Sequence, residues 1–400
     1  MRIAMIGQKG IPCTGGGVER HVEELSRQLV RAGHEVMVYT RPHYTDRKRT
    51  RYHGVILKSL PSFPTKHFDA LSHSLFSTLH AMRQGVDIIH YHGIGPSLCA
   101  PIPRVFAPHI KVIGTFHSQD WRHQKWGLFA RFILRLGAWT MTHVPHVTIA
   151  VSREISELIF QRTGKQVPYI PTGVLFHKKK PSVRLLKQFP LRQGQYFLVV
   201  SRFVRHKSIT DAVDAFIRLK SRFPNDARIS RLKLALVGGG AFTDEYVNEI
   251  KAYADKRDDV LLTGYQKGHI LHSLYAHALA FIQPSISEGK SIALLEAMSW
   301  GLPIIAADIP ETREVLIPVH HKPSGLLYAP RNLAKLTHAM HTLINKPRYA
   351  RALGAQARKE VTAAYNWDTI IYDIIALYEC ALQQSNEYLA LDYRLREAQL

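Results

Sequence analysis

The residues with the most chemistry in them fall in one stretch, Pro284-Ser-Ile-Ser-Glu288-Gly-Lys-Ser-Ile-Ala-Leu-Leu-Glu296-Ala-Met-Ser-Trp-Gly301-Leu-Pro303. Its two carboxylates bracket the point, near Ser291, where a Ser/Glu/Gly loop gives way to an apolar helical pattern. A helix start offers unpaired N–H groups and the positive end of a dipole, which suits a phosphate. Eight residues are just over two helical turns. A Glu288 in the loop and a Glu296 in the helix can therefore hold opposite ends of one extended polar ligand. Among Leu294, Leu295, Ala297 and Met298, the Glu296 carboxylate needs a polar partner, and a sugar hydroxyl would serve. Two solvated helix carboxylates are the plainer alternative.

Five other places have residue types that bear on a phosphorylated ligand, a metal or catalysis. Ser201-Arg202-Phe-Val-Arg-His-Lys207 leaves an apolar run with two cations five apart, a fork and a point charge able to clamp a diphosphate. Gly238-Gly-Gly240 ends the next apolar run and permits close approach of a ligand, or only a tight turn. Gly15-Gly16-Gly17 opens a helix after the first run, in a spacing that fits neither the dinucleotide fingerprint nor the Walker loop. His117 ends a further run in Gly114-Thr-Phe-His-Ser-Gln-Asp120, as does His90-Tyr-His92 before it. Two histidines two apart share one side of a strand, yet no Cys or acidic residue neighbours them, so no metal is expected.

Alternating strands and helices must hold these residues. Strands are expected at Arg2–Ile6, Glu35–Tyr39, Val55–Leu57, Ile88–His90, Val112–Phe116 and Val147–Val151. The helix after the first begins at Gly17, with Val18, Val22, Leu25 and Leu29 at helical spacing. A basic, Pro-punctuated stretch over 175–195 reads as a linker, after which the alternation restarts at Tyr196. This is an α/β pattern with two doubly wound parallel sheets, whose ligands sit at the carboxyl ends of strands. The expected domains are 1–188 and 189–374, with a terminal helix over about 375–400 crossing back to the first. A chain of 400 residues suits two cores. Three scattered cysteines argue against a disulfide framework, and no long apolar run predicts a membrane span.

Charge is uneven. Residues 1–190 hold 27 basic and 10 acidic side chains, net +17, and the remainder 26 and 21, net +5. Such a front half expects an anionic partner, whether a phosphorylated ligand, an acidic membrane surface or a nucleic acid. Arg47-Lys48-Arg49-Thr-Arg51 is the densest run, and Trp121–Trp126 with Phe129–Leu136 mixes aromatic and basic residues as an interfacial helix does.

Taken in order, these motifs resemble the retaining glycosyltransferase family 4, whose fold is GT-B: two Rossmann-like domains facing each other across a cleft. The resemblance rests on Ser-Glu288-Gly…Leu-Leu-Glu296-Ala-Met…Gly-Leu-Pro, Gly-Gly-Gly-Val-Glu, Thr-Phe-His117, Ile-Pro-Thr-Gly173-Val, Ser-Arg202…Lys207, Val-Gly-Gly and Thr-Gly264-Tyr. The opening Gly-Gln-Lys-Gly-Ile-Pro is similar to the bacterial surface-polysaccharide branch. The resemblance implies transfer of a hexosyl residue from a nucleotide-diphosphate sugar, GDP-mannose or a UDP-hexose, to a saccharide or lipid-linked acceptor in the cytoplasm, at the inner face of the plasma membrane. It implies that Arg202 and Lys207 bind the diphosphate, Glu288 the donor sugar, Glu296 the ribose, and His117 the sugar near its reacting carbon. Backbone N–H groups of Lys290, Ser291 and Ile292, and of Gly16 and Gly17, would face the phosphates. Gly238, Gly289 and Tyr265 complete the donor set.

No cofactor or metal is expected, and no Asp-x-Asp occurs in the chain. Departures from the usual pattern are Lys290 for an aromatic, Thr172 for Asn and Ser208 for Gly; Lys290 could add a phosphate contact. A non-transferring enzyme of the same fold, such as a sugar-nucleotide epimerase, is the alternative, though Glu-x7-Glu beside an Arg…Lys loop is not expected of it. Nucleic-acid binding is suggested by charge alone, without a recognition module.

Overall fold

The computed structural model describes residues 1–65, 68–119, 127–177, 179–240, 244–317 and 322–384. They form two compact units. One comprises Met1–Gly173 together with the helix Trp367–Gln383, and the other Val174–Asn366.

The first unit is built on seven strands: β1 (Arg2–Ile6), β2 (Glu35–Thr40), β3 (Arg51–Tyr52), β4 (Val55–Ser59), β5 (Ile88–His92), β6 (Lys111–Phe116) and β7 (Val147–Ala150). They lie in the order β3-β4-β2-β1-β5-β6-β7. Every pairing is parallel except the short β3–β4 hairpin. All residues of β5, β6 and β7 are buried. A parallel sheet covered by helices on both faces requires that, and the continuous apolar runs supply it. The chain leaves β1 toward β2 on one side and later returns to place β5 on the other. The gap between the ends of β1 and β5 is therefore a topological switch point.

The second unit repeats the plan with β8 (Tyr196–Val200), β9 (Lys233–Val237), β10 (Val260–Gly264), β11 (Ala280–Gln283), β12 (Ile304–Ala307) and β13 (Leu326–Tyr328). Their order is β10-β9-β8-β11-β12-β13, all parallel. Here the switch point lies between β8 and β11. The helix Ile209–Arg222 buries Ile209, Ala212, Val213, Phe216 and Leu219 against this sheet, the three-and-four spacing of an amphipathic helix.

The segment read as a linker behaves differently. Leu186 and Leu191 are buried in the core of the second unit, the His277 ring bonds the Pro181 carbonyl, and Ser273 Oγ donates to the Ser182 carbonyl. Basic and Pro-rich composition hid two apolar anchors in that stretch. The chain instead passes between units at Gly173/Val174 and at Asn366/Trp367. The helix beginning at Trp367 belongs with the first unit from its first turn. There the Trp367 ring meets His21 at 5.5 Å and Tyr378 OH bonds His90. Residues 385–400, expected to continue this helix, and Trp121–Trp126 lie outside the described residues. Among the described residues no helix is long and apolar enough to cross a membrane.

Candidate active site

The carboxyl ends of four neighbouring strands in the second unit collect most of the residues singled out above. Tyr265 follows β10, Gly238 follows β9, Arg202 follows β8, and Glu288 lies in the loop after β11. Arg202 and Tyr265 are exposed, and Glu288 is largely buried. The cations after β8 and the carboxylate after β11 flank the switch point, where the loops diverge and leave room for a ligand.

Each position has a local cause. Gly238, at φ 142°, lets β9 end against the β8 loop, since a Cβ there would lie 1.8 Å from the Ser201 carbonyl oxygen. Phe203 N–H then bonds the Gly239 carbonyl at 2.8 Å, which pins the Arg202 loop to the β9 end. Lys207 closes a short 3₁₀ turn, Arg205–Lys207, ahead of the helix Ile209–Arg222. Between them Ser208 takes φ 45°, the left-handed region that favours glycine. That accounts for the Gly usually found at this position in the family that the sequence resembles.

Lys207 and Glu288, 81 residues apart, form an ion pair through Nζ and Oε2, both side chains largely buried. Gln283 Nε2 donates to the other Glu288 oxygen at 3.3 Å, and Ser291 Oγ donates to Gln283 Oε1 at 2.7 Å. Ser291 is also the N-cap of the helix Ile292–Ser299, its Oγ accepting from Leu294 N–H. One chain of contacts thus ties Lys207, Glu288, Gln283 and the helix start together. Gln283 was not anticipated from the sequence, because the last residue of a buried strand reads as core. Gly289 and Lys290 connect Glu288 to the cap, and Ile292 is the first helical residue. Glu296 lies half-buried inside that helix, one side of the bracket expected from the spacing.

Lys290 departs from expectation. Its ammonium pairs with Glu314 at 2.8 Å and lies over the Tyr365 ring, with only 2% of the side chain exposed. Its charge is committed inside the second unit, so only its backbone N–H stays in the set facing a phosphate.

In the first unit the polar residues at the strand ends condense into a histidine cluster. His117, after β6, and His92, at the end of β5, share a hydrogen bond between Nε2 and Nδ1 at 3.2 Å. His21, from the helix Gly17–Arg31, meets the His117 ring edge at 4.9 Å, and its Nδ1 bonds Thr172 Oγ1 at 3.1 Å. His90 is held by Tyr378 and Thr115, both at 2.7 Å. Burial disfavours the imidazolium, so His21 and His90 are lowered to about 3, and His92 and His117 fall well below the ordinary histidine value. These are neutral rings that donate and accept hydrogen bonds. Ring nitrogens of His21, His92 and His117 lie within 4.8 Å of one another, a reach that suits a cation, though among the described residues no carboxylate or thiolate joins the group. The His92–His117 hydrogen bond already engages two of these rings. His21 lay beyond reach of a sequence reading, since a histidine inside an amphipathic helix carries no signal of where the strand ends converge.

The Gly16–Gly17 loop holds carboxylates. Gly16 is the N-cap of its helix, and Glu19 Oε2 lies 2.0 Å from where a Gly16 Cβ would stand. Glu19 accepts from Lys9 N–H, and Glu23 from Cys13 N–H. A phosphate at this loop meets those two carboxylates as well as the helix dipole.

Comparison with known proteins agrees with this layout. Residues 15–177 match the profile of Glycosyltransferase Family 4, and residues 186–360 that of Glycosyl transferases group 1. An uncharacterised glycosyltransferase of Methanocaldococcus jannaschii is 23% identical over 96% of this chain and 99% of its own. Sucrose-phosphate synthase from Thermosynechococcus elongatus superposes with a TM-score of 0.80 at 23% identity, covering 96% of this chain and 100% of that one. Anabaena HepE, solved with UDP-glucose, gives a TM-score of 0.76 at 18% identity over 95% and 99%. With two parallel-sheet units, cations and a carboxylate at a switch point, and matching profiles across both halves, the chain belongs to the family 4 type of GT-B glycosyltransferases and uses a nucleotide sugar.

Proposed function

We propose that the protein transfers a hexosyl residue with retention of configuration, and without a metal, from GDP-mannose or a UDP-hexose to a hydroxyl of a lipid-linked saccharide. The observation that carries this is the Arg202, Lys207 and Glu288 arrangement flanking the β8/β11 switch point. Arg202 and Lys207 balance the charge of the departing diphosphate, the electrostatic work that a cation does elsewhere. Glu288 binds the donor sugar, Glu296 the ribose, and Tyr265, Gly238 and Gly289 line the remainder of the donor. Backbone N–H groups of Lys290, Ser291 and Ile292 face the phosphates, joined by Gly16 and Gly17. His117, neutral and hydrogen-bonded to His92, contacts the transferred sugar.

The bond from the anomeric carbon to the diphosphate breaks through an oxocarbenium-like state. The acceptor oxygen bonds that carbon on the same face, and the acceptor proton passes to the leaving phosphate. That an Anabaena neighbour was solved with UDP-glucose supports a UDP-hexose as one of the two donor classes. The exposed run Arg47-Lys48-Arg49-Thr-Arg51 supports attraction to an anionic membrane that carries the acceptor.

The test is the anomeric configuration of the product, read by NMR from a reaction run in EDTA. Retention with full activity is expected. An inverted product, or a rate that needs added divalent cation, overturns the reading.

A further inference from the structure

The helix Leu128–His143 of the first unit has one face fixed and one left bare. On the fixed face, Leu134, Ala138 and Met141 pack with Phe116, Ile155 and Ile159. Gly137 brings the backbone so close that a Cβ would lie 2.2 Å from the Ile94 carbonyl oxygen, and Ser97 Oγ bonds the Gly137 carbonyl at 2.8 Å. On the other face, Phe129 is 76% exposed, Phe132 63%, Leu136 43% and Trp139 55%. At 100° per residue these four fall within an arc of roughly 80°. Single exposed apolar residues are ordinary, but a stripe of four with three aromatics is not. Val105 and Phe106 are also exposed, on a helix that follows the Pro96–Cys99 turn against which Leu128–His143 packs.

We infer that this stripe inserts into the interfacial zone of an anionic bilayer, anchoring the first unit by apolar burial as well as by charge. The inference rests on the membrane-side reading above and names a second, distinct surface for it. Charge decides the occupant. Between Asp87 and Glu154 the chain holds seven basic residues and one acidic residue. The helix itself carries Arg131 and Arg135 and no carboxylate. A second copy docked on the stripe by a two-fold axis would set these arginines against each other. A leaflet with anionic headgroups takes the aromatic rings into its acyl boundary and pairs the flanking guanidinium groups.

The experiment is co-sedimentation of the full chain with vesicles of phosphatidylcholine, with and without phosphatidylglycerol, at low and high salt. Phe129→Ser/Phe132→Ser/Trp139→Ser is compared with Arg47→Ser/Lys48→Ser/Arg49→Ser. Circular dichroism and the melting temperature confirm that each variant is folded. The wild type should partition onto anionic vesicles and retain part of that binding at high salt. The stripe variant should lose on the order of a hundredfold in partitioning, and the basic-run variant should lose only the salt-sensitive part. A stripe variant that partitions like the wild type overturns the insertion while leaving the basic-run reading standing. A wild type that stays in the supernatant at low salt overturns both. A concentration-dependent dimer that the stripe variant abolishes, without vesicle binding, assigns the face to a second copy and also overturns the inference.

Discussion

Lys207 and Glu288 are the residues whose pairing most constrains the chemistry. In the unliganded chain they neutralise each other in a largely buried setting, and Gln283 holds the remaining carboxylate oxygen. Removing either charge leaves the partner's charge buried and uncompensated, even where the shape is kept. Lys207→Ala should therefore lower stability by about 3 kcal/mol as well as reduce kcat/KM. Glu288→Gln leaves the Lys207 ammonium without its counter-charge and should also lower stability, besides losing turnover. Urea midpoints measured beside initial rates separate the two effects, and an unchanged midpoint in either variant would contradict the pairing. Arg202 is exposed, so Arg202→Ala should leave the urea midpoint in place and cut kcat on the order of a hundredfold. The placement of Glu288 in a loop and Glu296 in a helix was legible because a Ser/Glu/Gly stretch gives way there to an apolar helical run. The Lys207–Glu288 contact was not, because nothing local in a sequence joins side chains 81 residues apart.

At the scale of elements, two backbone positions hold the donor-side loops in place. Gly238→Ala forces a Cβ onto the Ser201 carbonyl at φ 142°, while Gly239→Ala meets nothing within 4 Å. The first should lower the melting temperature markedly and the second hardly at all, a contrast read by calorimetry. Ser208, at φ 45°, carries the opposite expectation: Ser208→Gly should raise stability by about 1 kcal/mol, read as a higher urea midpoint. Most strands of both sheets could be read from their apolar runs, since buried parallel strands print them plainly. Two short strands could not. β3 is a two-residue hairpin arm, and β13 is a three-residue strand behind Gly325 that is too brief for periodicity. The helix Arg153–Thr163 went unread although Ser152 caps it and Gly164 ends it at φ 67°. Its apolar residues Ile155 and Ile159 are too few to show a stripe. The linker reading failed for a related reason, since Leu186 and Leu191 are lone anchors in a polar stretch.

Across the whole molecule, the buried histidines couple stability to pH. The folded chain keeps His21 and His90 neutral down to about 3, and His92 and His117 neutral well below their ordinary value. The unfolded chain protonates them near 6.5, so it binds more protons in acid. Stability from this source is complete above about pH 6.5 and is lost progressively as pH falls below it. His21 and His90 should each cost about 2 kcal/mol by pH 5, and His92 and His117 act in the same direction, so the urea midpoint should drop steeply between pH 7 and 5; a flat profile would contradict their burial. The central claim, a nucleotide-sugar site built on the β8/β11 switch point, is tested most directly by thermal stabilisation in EDTA. The purified chain is scanned against UDP-, GDP-, ADP- and dTDP-sugars beside Arg202→Ala and Glu296→Ala. A ligand at a hundredfold excess over its Kd contributes roughly 2.7 kcal/mol, which moves the melting temperature by several degrees. One nucleotide class should stabilise the wild type and neither variant. Equal shifts in wild type and variants, or no shift with any nucleotide sugar, would contradict the account.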